Sequence, residues 1–272
     1  MQNILNCQYS GKPKGGKNDS TVTQNICNGI KVFLAEFLGT FIFMFLGCGC
    51  LNSHSIVNWN EFTGSYSFGV TFAAAVQVSY NTSYGHLNPV VTLIFFMYGY
   101  ISIKLVIVYV IAQLLGAIVG TALYKFLSEQ NFHILTIGKD PYSCETRIHP
   151  KLGSGLAFMW EFLGSILLGL FISSFLDPRS PKNRENYSMK MALLIGVLNT
   201  VLTPYTGGSL NPARSFAPAF INNHWLDQWI YWIGPITGGL FGAFLYHTFF
   251  LPMVIKQNNE RTEVEDVSTA IA

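Results

Sequence analysis

Two ten-residue stretches of this chain share the same core, SYGHLNPVVT at residues 83–92 and TGGSLNPARS at residues 206–215. In them, Asn88 and Asn211 each stand directly before a proline. Asparagine is a preferred N-cap residue and proline is favoured at the first helical position, so each stretch predicts a helix that begins at its asparagine. The apolar pieces that follow end near residues 99 and 221. A dozen residues reach only about 18 Å, less than a hydrocarbon core of ~30 Å, so both helices are expected to enter a membrane and end inside it.

The composition indicates that the bilayer is the solvent of this chain. Of the 272 residues, 50% are hydrophobic and only 11% are charged, whereas a soluble domain carries roughly 25% charged residues. The net charge of +2 gives no support for a nucleic-acid partner. Outside the two short pieces, six apolar stretches could form membrane helices, and most of them are close to the ~20 residues that a membrane-spanning helix needs. These predicted spans are about 32–51, 65–82, 105–124, 155–176, 191–203 and 229–251.

The two halves of the chain resemble each other. The segment AEFLGT at residues 35–40 recurs as WEFLGS at residues 160–165, and the Asn-Pro motifs follow in the same order. Each half holds three spans, an odd number, so the second copy starts on the opposite side of the membrane. The expected fold is an all-α membrane protein with six transmembrane helices and two re-entrant half-helices. Its inverted 3+3 repeat comprises about residues 31–127 and 155–252.

The distribution of charge predicts how the chain is oriented. In a six-span arrangement, 11 of the 16 Lys and Arg residues lie on the side of the termini and four lie opposite, with Arg214 inside a short helix. The positive-inside rule then places both termini in the cytoplasm. Residues 1–30 and 253–272 are interpreted as cytoplasmic tails of a membrane domain at 31–252, and the plasma membrane is the expected location.

Asn88 and Asn211 form the candidate site at the centre of the membrane. Because the repeat is inverted, the half-helices enter from opposite faces and their N-termini meet near the midplane. Each N-terminus carries a positive partial charge of about half a unit, so the meeting point repels cations, including hydronium. The two side-chain amides can donate to the oxygen of a neutral molecule there. This arrangement indicates a path for water or small neutral solutes that excludes protons.

Four further polar residues lie at membrane depth. Arg214, on the first turn of the second half-helix, is expected to be functional because an arginine inside the bilayer is costly. Glu36 and Glu161 hold matching repeat positions and are either proton-relay groups or braces for the re-entrant loops, and their symmetry favours the brace. His86 is interpreted as a loop brace rather than a pH sensor.

The other singled-out residues are interpreted as packing residues. The five cysteines have no metal-ligand spacing, so we expect no metal site and no structural disulfide, with Cys48 and Cys50 filling space in a span. No nucleophile–base pair or phosphate-cradling loop is visible, so neither a cofactor nor enzymatic activity is expected. Small-xxx-small pairs let helix backbones approach closely in lipid. These pairs are Gly116 with Gly120 and Gly238 with Gly242.

With these residues in place, the chain resembles the aquaporin family, also called the major intrinsic proteins, over about residues 31–252. Both Asn-Pro motifs, the arginine and the two glutamates carry the resemblance. The chain departs from the family pattern at Val90, where alanine is usual, and at Tyr84, where glycine is usual. The valine is expected to narrow or repack the midpoint. The resemblance implies a homotetramer in the lipid bilayer in which each protomer has its own pore.

The resemblance also implies a constriction outside the midpoint. Ungapped counting from the motifs assigns its four positions to Phe68, Asn199, Gly208 and Arg214. Water-selective members usually carry histidine where Asn199 stands, so the filter is expected to be wider than a strict water filter and to fit glycerol or urea. The glycerol-conducting branch, however, typically has aspartate where Ser215 follows the arginine.

The leading functional hypothesis is a passive membrane channel that conducts water and excludes protons and ions. Two alternatives remain open: a water channel that also passes glycerol or urea, and a weakly conducting structural or junctional member of the family. A proton-coupled transporter that uses Glu36 and Glu161 has less support, since those carboxylates would have to face the pore.

Overall fold

The computed structural model describes residues 19–52, 61–131, 144–179 and 185–251, which form six long helices and two short ones without strands. The predicted tails therefore lie mostly outside the described residues. The long helices are α1 (Asp19–Asn52), α2 (Glu61–Ser83), α4 (Ile103–Asn131), α5 (Ser154–Leu176), α6 (Tyr187–Thr206) and α8 (Ile230–Phe249), and the short ones are α3 (Pro89–Met97) and α7 (Pro212–Asn222).

Both short helices begin as the sequence predicts. Asn88 has extended backbone angles, and its side chain accepts a hydrogen bond from the Val90 amide at 2.9 Å. Asn211 is extended as well, and its side chain accepts from the Ala213 amide at 3.0 Å. At 9 and 11 residues, α3 and α7 are too short to cross a membrane.

Three of the long helices are apolar and long enough by themselves to be candidate spans, over 28–51, 103–128 and 154–176. The other three, α2, α6 and α8, have 23, 20 and 20 residues. At 1.5 Å per residue each reaches about 30 Å, the thickness of the hydrocarbon core. The order of helices follows the predicted 3+3 pattern, with a short helix after the second span of each half.

Glycines bring the first and last helices of each half into backbone contact. A Cβ atom added to Gly116 of α4 would lie 2.3 Å from the Phe37 carbonyl oxygen of α1. In the second half, a Cβ on Gly238 of α8 would lie 2.2 Å from the Phe162 carbonyl oxygen of α5. The second glycine of each pair is equally close to the facing helix. A Cβ added to Gly120 would lie 2.5 Å from the Phe41 carbonyl oxygen, and a Cβ added to Gly242 would lie 2.2 Å from the Ile166 carbonyl oxygen. Such spacing excludes any side chain.

The expectation of no structural disulfide is wrong. Cys48, near the end of α1, is bonded to Cys144, and their Cα atoms lie 5.0 Å apart. The two cysteines are 96 positions apart in the chain, so no local spacing could reveal the pair. Only the tertiary fold brings Cys144 to the end of α1. Cys50 is unpaired in the part of the chain that is described.

Candidate functional site

The two asparagines that start the short helices also link the two halves of the protein. Asn88 donates from its side-chain amide to the Leu210 carbonyl oxygen at 2.9 Å. Asn211 donates in the same way to the Leu87 carbonyl oxygen at 2.8 Å. Each side chain therefore caps its own helix and binds the loop that precedes the other helix. An amide nitrogen has two hydrogens, so one N–H of each asparagine is not used by these bonds.

The loops that lead into the short helices have the same unusual backbone. Leu87 and Leu210, directly before the asparagines, have positive φ angles of 51° and 54°. Tyr84 and Gly207, three residues earlier in each loop, have φ angles of 65° and 79°. A non-glycine residue adopts this region at a cost, so Tyr84 occupies a position that suits glycine. Its ring packs against Tyr80 and Phe95.

Glu36 of α1 lies under the first loop and is fully buried. Its Oε1 accepts from the Ser83 hydroxyl at 2.6 Å and from the His86 amide at 2.9 Å. Its Oε2 accepts from the Leu87 amide at 2.7 Å and from the Gln113 side chain at 2.8 Å. The carboxylate thus binds two backbone N–H groups in a stretch that has no regular secondary structure.

Glu161 of α5 makes the equivalent contacts under the second loop. Its Oε1 accepts from the Thr206 hydroxyl at 2.6 Å and from the Ser209 amide at 2.9 Å. Its Oε2 accepts from the Leu210 amide at 2.8 Å. Because buried backbone N–H groups need partners, the two carboxylates supply acceptors where the helical hydrogen bonds are missing.

His86 is buried between the first loop and its neighbours. Its Nδ1 lies 3.2 Å from the Thr92 hydroxyl, and its ring lies 4.1 Å and 4.4 Å from the ring centres of Phe95 and Tyr109. Its Nε2 has no hydrogen-bond partner among the described residues. The imidazole is therefore held mainly by aromatic packing.

Arg214 is the largest fully buried side chain in the described part of the protein. One terminal nitrogen donates to the Cys144 carbonyl oxygen at 2.7 Å, and the other lies 3.4 Å from the Gly207 carbonyl oxygen. The guanidinium carbon stands 5.3 Å from the centre of the Phe68 ring. Its Nε has no partner among the described residues. The structure thus brings together Phe68 and Arg214, two of the residues assigned to the constriction.

The other two assigned residues, Asn199 and Gly208, also lie together. The Asn199 amide donates to the Gly208 carbonyl oxygen at 2.9 Å, and its oxygen accepts from the Thr203 hydroxyl at 3.2 Å. A Cβ added to Gly208 would lie 2.7 Å from the Asn199 amide nitrogen. Asn199 therefore occupies the space that a side chain at position 208 would need, and its amide is turned towards the backbone.

Known proteins resemble this chain in sequence and in fold. The family model described as major intrinsic protein matches residues 23–246. Aquaporin-4 of Mus musculus is 32% identical over 233 residues, which cover 82% of this chain and 68% of the mouse protein. A probable aquaporin, TIP3-2 of Arabidopsis thaliana, is 31% identical over 239 residues, which cover 84% of this chain and 86% of the plant protein.

This chain belongs to the major intrinsic protein family. Members of the family are membrane channels rather than enzymes, so the chain is an integral membrane protein of the aquaporin type. The fold agrees with that of the X-ray structure of the aquaglyceroporin from Plasmodium falciparum, with a TM-score of 0.72 and 24% identity. The match covers 83% of this chain and 98% of that one.

Two departures from the family pattern are accommodated in different ways. Val90, in place of the usual alanine, is fully buried and packs against α8. Tyr84, in place of glycine, keeps the positive φ of the loop and is stabilised by aromatic neighbours. Neither departure moves the asparagines out of their cross-loop bonds.

Sequence reasoning missed several residues that contact the candidate site. Gln113 donates to both Glu36 and the Thr92 hydroxyl, at 2.8 Å and 3.0 Å. The Cys144 carbonyl binds Arg214, and Thr146 donates to the Ser215 hydroxyl at 2.8 Å. A glutamine in an apolar helix is a signal that could have found the first residue. Cys144 and Thr146 lie in a segment without regular secondary structure, so no periodic sequence pattern could have indicated them.

Proposed function

We propose that this chain is a passive water channel that excludes protons and ions. The observation that carries the proposal is the pair of cross-loop bonds from Asn88 and Asn211, because it holds the N-terminal ends of α3 and α7 face to face. Two positive helix ends of about half a charge each then repel cations at one point. A neutral molecule passes without that penalty.

The unused N–H of each asparagine amide is the group proposed to hold the permeating molecule. A water that accepts from both amides has its oxygen turned towards them. It then cannot accept a proton from one neighbouring water and donate one to the next. Water moves along the file while proton transfer is interrupted at the midpoint.

Arg214 and Phe68 are proposed as the two walls of the constriction. The guanidinium of Arg214 is the proposed donor for the permeating molecule, and its positive charge adds a second barrier to cations. The Phe68 ring supplies an apolar face beside the guanidinium, whose carbon lies 5.3 Å from the ring centre. Glu36, Glu161 and His86 are proposed to brace the re-entrant loops, and the four packing glycines to join the helices.

A second candidate function is passage of glycerol or urea beside water. It is favoured by the contacts of Asn199, whose side chain is bonded to the Gly208 carbonyl and to Thr203 rather than extended. Position 208 has no side chain of its own. A constriction lined in this way leaves more room than one with histidine at position 199.

We further propose the assembly and orientation that the family and the charges favour. The chain forms homotetramers with one pore in each protomer and needs no cofactor or metal ion. Both termini face the cytoplasm, since 11 of 16 Lys and Arg residues lie on that side. The plasma membrane is the proposed location.

Stopped-flow light scattering on proteoliposomes tests these functions. An impermeant osmolyte step measures water flux, and inward gradients of glycerol and urea measure solute flux. The variant Asn199→His, run beside wild type, reports on the constriction. Wild-type water flux well above that of protein-free liposomes supports the channel. Solute flux that the histidine suppresses supports the second candidate, whereas no flux of any kind favours a structural or junctional role.

A further inference from the structure

We propose that the Cys48–Cys144 disulfide is a positioning device for the constriction and makes its selectivity sensitive to reduction. The inference rests on the proposed channel function and assigns to it two residues that the sequence analysis did not place at the midpoint or the constriction. Three independent observations support it.

The first contact is the hydrogen bond that holds Arg214. Its shortest side-chain bond, 2.7 Å, goes to the backbone carbonyl of Cys144, one of the two bonded cysteines. The other side-chain bond, to the Gly207 carbonyl oxygen, is longer at 3.4 Å, and the Nε has no partner among the described residues. The position of the guanidinium therefore depends mainly on where the Cys144 carbonyl is held.

The second contact lies at the other end of the disulfide. Cys48 follows Gly47 in α1, and a Cβ added to Gly47 would lie 2.7 Å from a ring carbon of Phe68. Phe43, one turn earlier in α1, packs on the same ring at 4.8 Å between ring centres. The turn of α1 that carries Cys48 therefore packs against the Phe68 ring.

The third observation concerns the hydrogen bonds of the two residues that follow Cys144. Thr146 donates to Ser215 of α7, and the Glu145 carboxylate accepts from Asn222 at 2.7 Å and lies 2.8 Å from His224. These contacts all lead to the second half of the protein. The disulfide leads to α1, in the first half.

The constriction is built from both halves, since Phe68 lies in α2 and Arg214 in α7. The disulfide connects the turn of α1 that packs against Phe68 to Cys144, whose carbonyl binds Arg214. It therefore sets the distance between the Phe68 ring and the guanidinium. Without it, Thr146 and Glu145 still bind the second half, but the link from Cys144 to α1 is lost. Arg214 is then free to leave its place above the ring, and larger solutes pass.

Dithiothreitol breaks the Cys48–Cys144 bond by reduction. The dithiol transfers two electrons and two protons to the disulfide, which yields the Cys48 and Cys144 thiols, and the reagent becomes its cyclic disulfide. Disulfides persist in oxidising compartments. In the proposed orientation both cysteines lie towards the face opposite the termini.

The test compares wild type with Cys48→Ser, Cys144→Ser and the control Cys50→Ser in proteoliposomes. Cys50 is two residues from Cys48 but takes no part in the disulfide. The readout is the ratio of glycerol to water permeability, which is independent of how much channel is incorporated. Mass spectrometry of non-reduced peptides first verifies the Cys48–Cys144 bond in wild type.

We expect the ratio to rise roughly threefold or more in both disulfide variants and in reduced wild type, and to stay unchanged in Cys50→Ser. In an Arg214→Ala background, reduction should produce no further rise, because the group that the disulfide positions is absent. An unchanged ratio in fully reduced wild type, or an equal rise in the Arg214→Ala background, overturns the inference.

Hydrogen–deuterium exchange of residues 206–216 gives a reading that does not require flux. Reduction should speed exchange there in wild type and in Cys50→Ser but not in Cys48→Ser, which has no bond to reduce. Faster exchange without any water flux would contradict the channel function and leave the positioning role standing. Normal water flux with no change in either the ratio or the exchange contradicts the positioning role alone.

Discussion

Val90 of α3 occupies the space in which Gly239 of α8 would carry a side chain. A Cβ added to Gly239 would lie 2.2 Å from the Val90 Cγ1. In the other half, the positions that correspond by the repeat are Ala213 and Ala117, both fully buried. The corresponding positions of the other half thus hold two alanines, whereas here the added methyl groups of Val90 are matched by the missing Cβ of Gly239.

This relationship predicts that Gly239→Ala destabilises the protein and that Val90→Ala rescues it. Overpacking a well-filled core costs about 1–3 kcal/mol, and removal of the two valine methyl groups restores the space. The midpoint of thermal unfolding in detergent measures the effect in a double-mutant cycle. Gly155→Ala is the matched control, since nothing lies within 4 Å of an added Cβ there. Additive effects of the two substitutions would contradict direct contact.

The cross-loop bonds predict a specific effect of Asn88→Asp. A carboxylate oxygen still accepts from the Val90 amide, so α3 keeps its cap, but the N–H that binds the Leu210 carbonyl is lost. A negative charge also replaces a neutral group where two positive helix ends meet. We expect proton leak to rise about tenfold, measured with a pH-sensitive dye in proteoliposomes under an imposed potential.

The control for this change is Asn223→Asp. Asn223 is exposed at the end of α7, and its oxygen accepts from the Trp225 ring nitrogen at 3.1 Å, which a carboxylate preserves. It should leave proton leak at the wild-type level. A wild-type leak in Asn88→Asp would show that the barrier does not depend on the charge at the midpoint.

The contacts of Glu36 predict a result for Glu36→Gln that distinguishes a residue that stabilises the loop from one that relays protons. In Glu36→Gln, an amide group replaces one carboxylate oxygen and faces a backbone N–H of the loop, His86 or Leu87, which loses its acceptor. An unsatisfied buried donor costs about 1–3 kcal/mol, so thermal stability should fall. Water flux per folded channel should keep its wild-type pH dependence. A loss of pH-dependent flux without a loss of stability would favour the relay.

Asp177, just beyond the end of α5, predicts a pH effect on stability. Hydrogen bonds from Arg179 hold the pKa of its carboxyl below the usual 3.8, and the Tyr246 hydroxyl donates to it at 3.0 Å. A lowered pKa in the folded state means that the stabilisation is present above the ordinary value and is lost as pH falls through the folded value. Acid should therefore lower the unfolding temperature less in Asp177→Asn than in wild type.

The measurement compares unfolding temperatures in detergent on both sides of that pH range. Glu185→Gln is the control, because Glu185 is an exposed acid in the connection that follows Asp177. It should show the acid response of wild type. An equal acid response in Asp177→Asn would contradict the assigned role of the carboxyl.

Much of the fold could be predicted from particular residues. The Asn-Pro pairs mark the starts of α3 and α7 because capping is a local property of two adjacent residues. The apolar stretches and the odd number of spans in each half predict the 3+3 helix order, which the structure and its agreement with a solved channel confirm. Helix ends were less predictable, and α1 begins at Asp19 rather than near residue 32.

The candidate site was predictable only where a residue type is unusual for its surroundings. Arg214, Glu36 and Glu161 are conspicuous because charges are rare in membrane spans. Gln113 was overlooked, although it donates to Glu36. The Cys48–Cys144 bond was predicted to be absent, because cysteines 96 positions apart have no local signal.

The sequence by itself determined where the half-helices start, the order of the eight helices in the described residues and which charged residues interrupt the apolar stretches. These properties depend on neighbouring residues and on the free energy of burying single side chains, so they can be read along the chain. Only the tertiary structure decided that Asn88 binds the Leu210 carbonyl, that Val90 fits against Gly239 and that Cys144 holds Arg214. Those contacts join residues from 70 to 149 positions apart, and they exist because close packing brings distant backbones within hydrogen-bond or van der Waals distance.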